Sequence, residues 1–259
     1  MTGDDARRVR SKLEREDSVL RLVLDAPPGN VLDRAMMEEV TAAVLSGARV
    51  PSLRAIVLEG AGEHFSYGAS IPEHRKELVG PLLRSFRDLF SALAEVSIPL
   101  VALLRGQCLG GGLELASFCH FLIASPSTRL GQPEIRLGVL APVASLLLPW
   151  RIGPTRAEEL LLTGRILSAD EARDMGLVHT VADNPEQALG RLLEEGLLPH
   201  SAVALRQATR AAREGFSDAF LSSLERLELR YVDELMRAHD PNEGIAAFLE
   251  KRSPVWRHR

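Results

Sequence analysis

Residues 99–104 (PLVALL) form an unbroken apolar run of strand length, and the chain then meets Gly106 and three consecutive glycines, Gly110, Gly111 and Gly112, before a helical ELASF. This junction constrains the fold more than any other feature. An apolar run without alternation reads as a buried strand. A helix that starts directly after it presents backbone N–H groups that have no intrahelical partner and attract negative charge. No lysine follows the glycines and their spacing is not GxGxxG, so the segment is neither of the common nucleotide-binding loops. The glycines equally suit close packing of helix on strand.

The rest of the chain fits around that junction. Residues 1–17 read as a polar, frayed start, and residues 19–24 (VLRLVL) as a strand closed by Pro27, Pro28 and Gly29. Asp33 is a candidate N-cap for a helix to about Gly47, with Met36, Met37, Val40, Ala43 and Val44 at helical spacing. A strand over 53–58, a helix over 81–96 and a strand over 121–124 follow. RLGQPEIRLGV reads as strand and loop, 142–163 and 168–175 as helices, and 178–181 as a short strand. From 185 onward the pattern is helical, with breaks expected at Pro199, Gly215 and Pro241. Alternating strands and helices followed by helices predict an α/β fold with a helical C-terminal part. No repeat or Gly/Ser linker divides the chain, so the boundary is placed near 200: a core over 1–200 and a helical region over 201–259.

The 259 residues suffice for one large domain with a full core. A formal net charge of −4 gives no general attraction to nucleic acid or to anionic membranes. The only lysines are Lys12, Lys76 and Lys251. Two cysteines, Cys108 and Cys119, make no disulfide framework and no metal-type spacing, which fits a reducing compartment. The charged N-terminal stretch has no apolar core of a secretory signal, and no apolar run is long enough to span a bilayer. A cytoplasmic protein with no metal is expected.

Three segments carry candidate chemistry. In HFSYGASI, Gly68 and Ala69 let the backbone lie close to a ligand, with the Ala69 N–H free to point at an oxygen. In GQCLGGGLEL, Glu114 stands in the first turn of a helix among Leu113, Leu115, Ala116 and Phe118. A surface glutamate there would only complement the helix dipole, but its apolar neighbours make burial without purpose costly. In GQPEI, Glu134 lies between Pro133 and Ile135 in a segment without helical character, where on its own it also suits an exposed loop carboxylate. Together they offer two N–H donors for a thioester oxygen and two carboxyls, one to activate water and one to move a proton.

These residues resemble the crotonase (enoyl-CoA hydratase/isomerase) superfamily over nearly the whole chain, through PPGNVLD, FSYGASI, GQCLGGGLELA, GQPEIRLG and FLEKRSPVW. The resemblance implies a spiral of ββα units with a C-terminal helical trimerisation region, and a homo-oligomer, either a trimer or a dimer of trimers. It implies an oxyanion hole from the N–H groups of Ala69 and Gly111, with Glu114 and Glu134 catalytic. Lys251 matches a position that approaches CoA phosphates, often across a subunit boundary; a solvated terminal cation is the plain alternative. The substrate would be an acyl-CoA thioester, with CoA part of the substrate and no other cofactor. Two retained glutamates favour a hydro-lyase over isomerases, decarboxylases and hydrolases.

Three departures bear on the acyl group. Ser70 replaces the usual aspartate, residues 140–145 (LAPVAS) replace a Pro-Gly-x-Gly-Gly stretch near the reacting carbons, and His120 follows Cys119 where aspartate is common. FSYGASIPEH with QPEIRLGVLAP is most similar to the cyclohexa-1,5-diene-1-carbonyl-CoA hydratases of aromatic degradation. Tyr67, His74 and Ser145 are then candidates to shape the pocket, each with a purely structural alternative. The remaining alternatives are a linear or branched enoyl-CoA hydratase, an enoyl-CoA isomerase, or a protein that binds acyl-CoA or a partner without turnover.

Overall fold

The computed structural model describes residues 7–259, and the part of the polar start before residue 7 lies outside them. The described part of that start is not frayed. β1 (Val9–Glu14) pairs antiparallel with β2 (Val19–Leu24), Val9 opposite Leu24. An edge strand with one solvated face carries few apolar residues, so VRSKLE does not announce itself.

Asp33 caps α1 (Arg34–Gly47), its side chain accepting from the Met36 N–H at 2.9 Å. β3 (Ala55–Gly60), α2 (Val79–Glu95) and β4 (Leu100–Leu104) follow. Then come β5 (Gln107–Leu109), α3 (Gly111–Phe118), β6 (Phe121–Ala124) and β7 (Arg129–Gly131). A single 3-10 turn, Pro133–Leu137, follows β7 and holds Glu134, so that segment is helical after all. The helix expected over 142–163 is two, α4 (Pro142–Ile152) and α5 (Pro154–Thr163), parted at Gly153 with φ +77°. β8 (Ile166–Ser168), α6 (Ala169–Asp174), β9 (Thr180–Val181) and α7 (Pro185–Arg191) lead to a π-helical turn, Leu192–Leu197.

Two expected breaks do not occur. α8 (Ala202–Asp233) runs straight through Gly215, and α9 (His239–Leu249) takes Pro241 in its first turn, where an N–H has no helical partner to lose.

The main sheet has the order β1-β2-β3-β4-β6-β9, parallel from β2 onward. Its inner strands β3, β4 and β6 are apolar on both faces. Leu20, Leu22, Leu24, Ile56, Leu58, Ala102 and Leu104 join one core with α1 and α2. The alternate residues Val19, Ala55, Val57, Val101, Leu103 and Ile123 pack in a second core with Ala188 and Leu189 of α7. α8 packs against α2 and α4, with Phe220 and Leu224 in the first core.

A small second sheet, β5-β7-β8, positions the chemistry. β5 and β7 are parallel, Leu109 opposite Gly131, and the Gly110 N–H donates to Gly131 O at 2.9 Å. The glycines that follow β5 and the Glu134 turn that follows β7 therefore emerge side by side.

Candidate active site

The segment bearing Ala69 is fixed by hydrogen bonds from three sides. Ser66 bridges to Cys108 of β5, and Ala69 bridges to Leu32. Ser66 Oγ donates to Asn30 O at 2.8 Å and accepts from the Gly68 N–H at 3.0 Å. Buried Asn30 donates to Ala61 O and His64 O and accepts from the Ala26 N–H. The asparagine of PPGN is thus the tie between the first loop and FSYGAS.

In the Leu32–Ala69 bridge, Leu32 N–H binds Gly68 O and Leu32 O receives the Ser70 N–H. That geometry turns the Ala69 N–H to the opposite side. There it faces Gly111: a Cβ on Gly111 would lie 3.1 Å from Ala69 N, and one on Gly68 would lie 3.3 Å from Gly111 N. The Gly111 N–H opens α3 and has no intrahelical acceptor. Two main-chain donors therefore stand together without protein acceptors. Gly68 has φ +106° and Gly110 φ +49°, both left-handed, and a Cβ on Gly68 would meet Leu109 O at 2.8 Å.

Both glutamates reach the cavity beside those donors. Glu114 is 4% exposed, and its Oε1 accepts from the Ala144 N–H at 2.8 Å. That N–H belongs to the first turn of α4, which Pro142 opens. The LAPVAS segment thus aims a helix N-terminus at the Glu114 carboxylate. Glu134 comes from the 3-10 turn after β7, and its Oε1 lies so near Gly110 that a Cβ there would sit 2.6 Å away. Its Oε2 is buried without a partner.

Burial raises both carboxyls above the ordinary carboxylate range. For Glu114 the N–H groups of Ala144 and Val143 oppose the rise, whereas for Glu134 the neighbouring Glu114 charge adds to it. The backbone donors thus favour the ionised form of Glu114, and the Glu114 charge favours the protonated form of Glu134.

The cavity between them has a volume of about 20 Å³. A single water needs roughly 10–15 Å³ of such space. Ala69, Gly111, Glu114, Glu134 and His74 line it, with Leu83, Phe86, Leu140, Val143 and the α8 residues Leu224, Glu228 and Tyr231. His74 Nδ1 lies 2.8 Å from Ser70 O, which can only accept, so the proton sits on Nδ1. Burial lowers the imidazole's pKa, against the Ser70 hydrogen bond and the Glu73 charge.

Three other expected residues lie outside the cavity. Tyr67 is 46% exposed, its ring against Gly29 and 4.9 Å from the His64 ring, because the buried residues of its segment are the alternate ones, Ser66 and Gly68. Ser145 is half-buried on α4, one residue past the N–H that serves Glu114. Lys251 is exposed beyond the end of α9, its N–H on Phe248 O. The cavity also contains groups that sequence reasoning missed. The α4 N-terminus was signalled by a proline at a helix start, but Tyr231 and Glu228 carry no local signal on a long helix. Among the described residues, no three His, Cys, Asp or Glu side chains converge as metal ligands would, and no helix is long and apolar enough to cross a membrane.

The family described as enoyl-CoA hydratase/isomerase matches residues 14–259. The chain is 44% identical over 247 residues to the cyclohexa-1,5-dienecarbonyl-CoA hydratase of Thauera aromatica, covering 95% of this chain and 96% of that protein. It is 36% identical to a probable enoyl-CoA hydratase of Mycobacterium bovis, covering 95% and 97%. Among solved structures, an enoyl-CoA hydratase from Mycobacterium avium subsp. paratuberculosis superposes with a TM-score of 0.85 at 26% identity, covering 96% of this chain and 98% of that one.

Proposed function

The chain belongs to the enoyl-CoA hydratase/isomerase family, and from that premise we propose that it is a hydratase adding water to an unsaturated acyl-CoA thioester, with a cyclic dienoyl group as its acyl part. The observation that carries this reading is a one-water cavity with a carboxyl on either side and two unpartnered main-chain N–H groups at its rim.

The thioester oxygen accepts from Ala69 and Gly111. Water attacks the β-carbon of the double bond, and Glu114, held as an anion by the α4 N-terminus, takes the water's proton. The displaced π electrons move onto the thioester oxygen as an enolate. Each N–H there contributes about 3–4 kcal/mol to that charge, as in comparable holes. Glu134, protonated, delivers its proton to the carbon skeleton as the enolate collapses. Glu114 then holds a proton and Glu134 lacks one, and exchange with solvent restores the pair. Dehydration runs the same steps backwards. CoA is part of the substrate, and no step needs a further cofactor.

The choice of a cyclic acyl group rests on the Thauera relative and on the LAPVAS segment, which builds a helix N-terminus close to the reacting carbons. A cavity of about 20 Å³ holds a water and not an acyl group, so the acyl group needs room beyond it. The same reading makes the protein a cytoplasmic homo-oligomer, a trimer or a dimer of trimers, with Lys251 at the CoA phosphates.

A panel of linear, branched and cyclic dienoyl-CoA thioesters tests it, with the mass gain of one water as readout. The expected result is a kcat/KM for the cyclic dienoyl thioester at least about tenfold above that for crotonyl-CoA. Turnover of linear thioesters alone would remove the cyclic assignment, and double-bond migration without hydration would remove the hydratase.

A further inference from the structure

The cavity has a third polar group that neither the glutamates nor the oxyanion hole accounts for. Tyr231 is fully buried, and its hydroxyl has no hydrogen-bond partner. It lines the same cavity as Glu114 and Glu134. Leu224, Glu228 and Tyr231 recur at four and three residues along α8 and so share one helix face, which closes the site. Glu228 Oε2 accepts from Arg87 Nη1 at 2.8 Å, while its Oε1, like the phenol, is buried without a partner. The His74 ring is 6.5 Å from the Tyr231 ring, its Nδ1 donating to Ser70 O and leaving Nε2 as the ring's acceptor. The phenol thus makes no hydrogen bond within the protein.

A buried hydroxyl left bare is costly, and such groups in native proteins have a reason to be there. The space it faces is sized for one water, and a buried water takes two to four polar partners. Glu114 and Glu134 Oε2 supply two acceptors for the water's protons. Tyr231 supplies the missing donor to its oxygen. Burial above all, with the nearby Glu134 and Glu114 carboxyls, raises the phenol's pKa and favours the protonated, donating hydroxyl.

We propose that Tyr231 is a third catalytic group of the hydratase: its hydroxyl donates to the oxygen that is added to the acyl group, fixing the attacking water between the two glutamates. In the reverse direction the same bond steadies the departing hydroxyl. No bond to Tyr231 forms or breaks. The inference rests on the hydratase reading above and adds to it a residue from the C-terminal helical region.

Tyr231→Phe is the test, with kcat, KM and Tm measured on the full chain beside Glu134→Gln. A lost hydrogen bond to a charge-developing oxygen predicts a kcat roughly 10–100-fold lower, with KM within about threefold of the parent. Because the phenol is unpaired in the protein, Tm should hold or rise. A structural tyrosine predicts the opposite pattern, a lower Tm with kcat per folded molecule intact, and that result overturns the proposal. So does a kcat within about twofold of the parent. If Glu134→Gln loses activity while Tyr231→Phe keeps it, only this inference fails; if both keep it, the hydratase mechanism fails as well. As a second readout, fluorotyrosine can replace the chain's two tyrosines. The resonance that Tyr231→Phe removes should shift when hydrated product binds, and an unmoved resonance counts against the proposal.

Discussion

Gly110 shows how little freedom single residues have around the reacting atoms. Its φ of +49° is left-handed, and any side chain would run into Glu134 Oε1. Gly110→Ala should therefore push Glu134 out of line. Misplacement by about 1 Å costs on the order of 10²-fold in rate, so kcat should fall by about that factor. The Gly110 ψ of −129° lies outside the αL well, so backbone strain adds ~1–3 kcal/mol against stability, and the variant should still fold; an unchanged kcat would show that Glu134 is free to move. At this scale neither glutamate stood out alone, since each also suits a surface carboxylate; the combination of the three segments and the family resemblance drew attention to them. Ala69 and Gly111 were legible through the family resemblance. Tyr231 was not, since an aromatic at helical spacing looks like core until its hydroxyl is found without a partner.

Elements that look interrupted in sequence can be continuous in space. Glycine weakens a helix interior by exposing backbone and costing entropy, which is why Gly215 reads as a break. The flanking turns of α8 carry the helix through it, with Phe216, Phe220 and Leu224 packed on the body of the molecule. A Cβ on Gly215 would meet nothing within 4 Å. Gly215→Ala should therefore stabilise the protein by about 0.5–1 kcal/mol, raising Tm by roughly 1–4 °C in a chain of this size; a lower Tm would mean that the glycine serves a bend. Helices and buried strands were otherwise placed to within a few residues, because their periodicity is long. β5 and β8, at three residues each, are too short to carry a pattern, and β1 hides behind its solvated face.

The molecule as a whole holds several carboxyls away from water. Glu114 and Glu134 are raised by burial, and burial pushes Glu228 up to about 7 despite its Arg87 partner. In the unfolded chain each would ionise near the ordinary value of 4.5. Between that pH and the folded values the native state binds more protons than the unfolded state, so stability falls as pH rises. Glu171, Asp240 and Glu243 are depressed by their partners, and their contribution disappears only as pH falls below the ordinary carboxylate range. Tm should accordingly peak in weak acid and fall by at least about 4 °C towards pH 8, at ~2–4 °C per kcal/mol. Glu228→Gln should flatten part of that slope. A Tm that climbs steadily from pH 5 to pH 8 would contradict the burial of all three acids. The α/β architecture with a helical C-terminal part was readable from the alternation of apolar runs. The closing of the site by α8 was not, because contacts between residues more than 80 apart leave no local pattern.

The most direct test of the account is the hydration rate of Glu114→Gln and of Glu134→Gln, followed by the mass gain of the thioester, with thioester binding measured in parallel. Losing a positioned acid or base costs ~10²–10⁴-fold. Each variant should slow by that range while still binding the thioester, and the residual rate should lose one limb of the parent's bell-shaped pH profile. Hydration close to the parent's rate in both variants would contradict it.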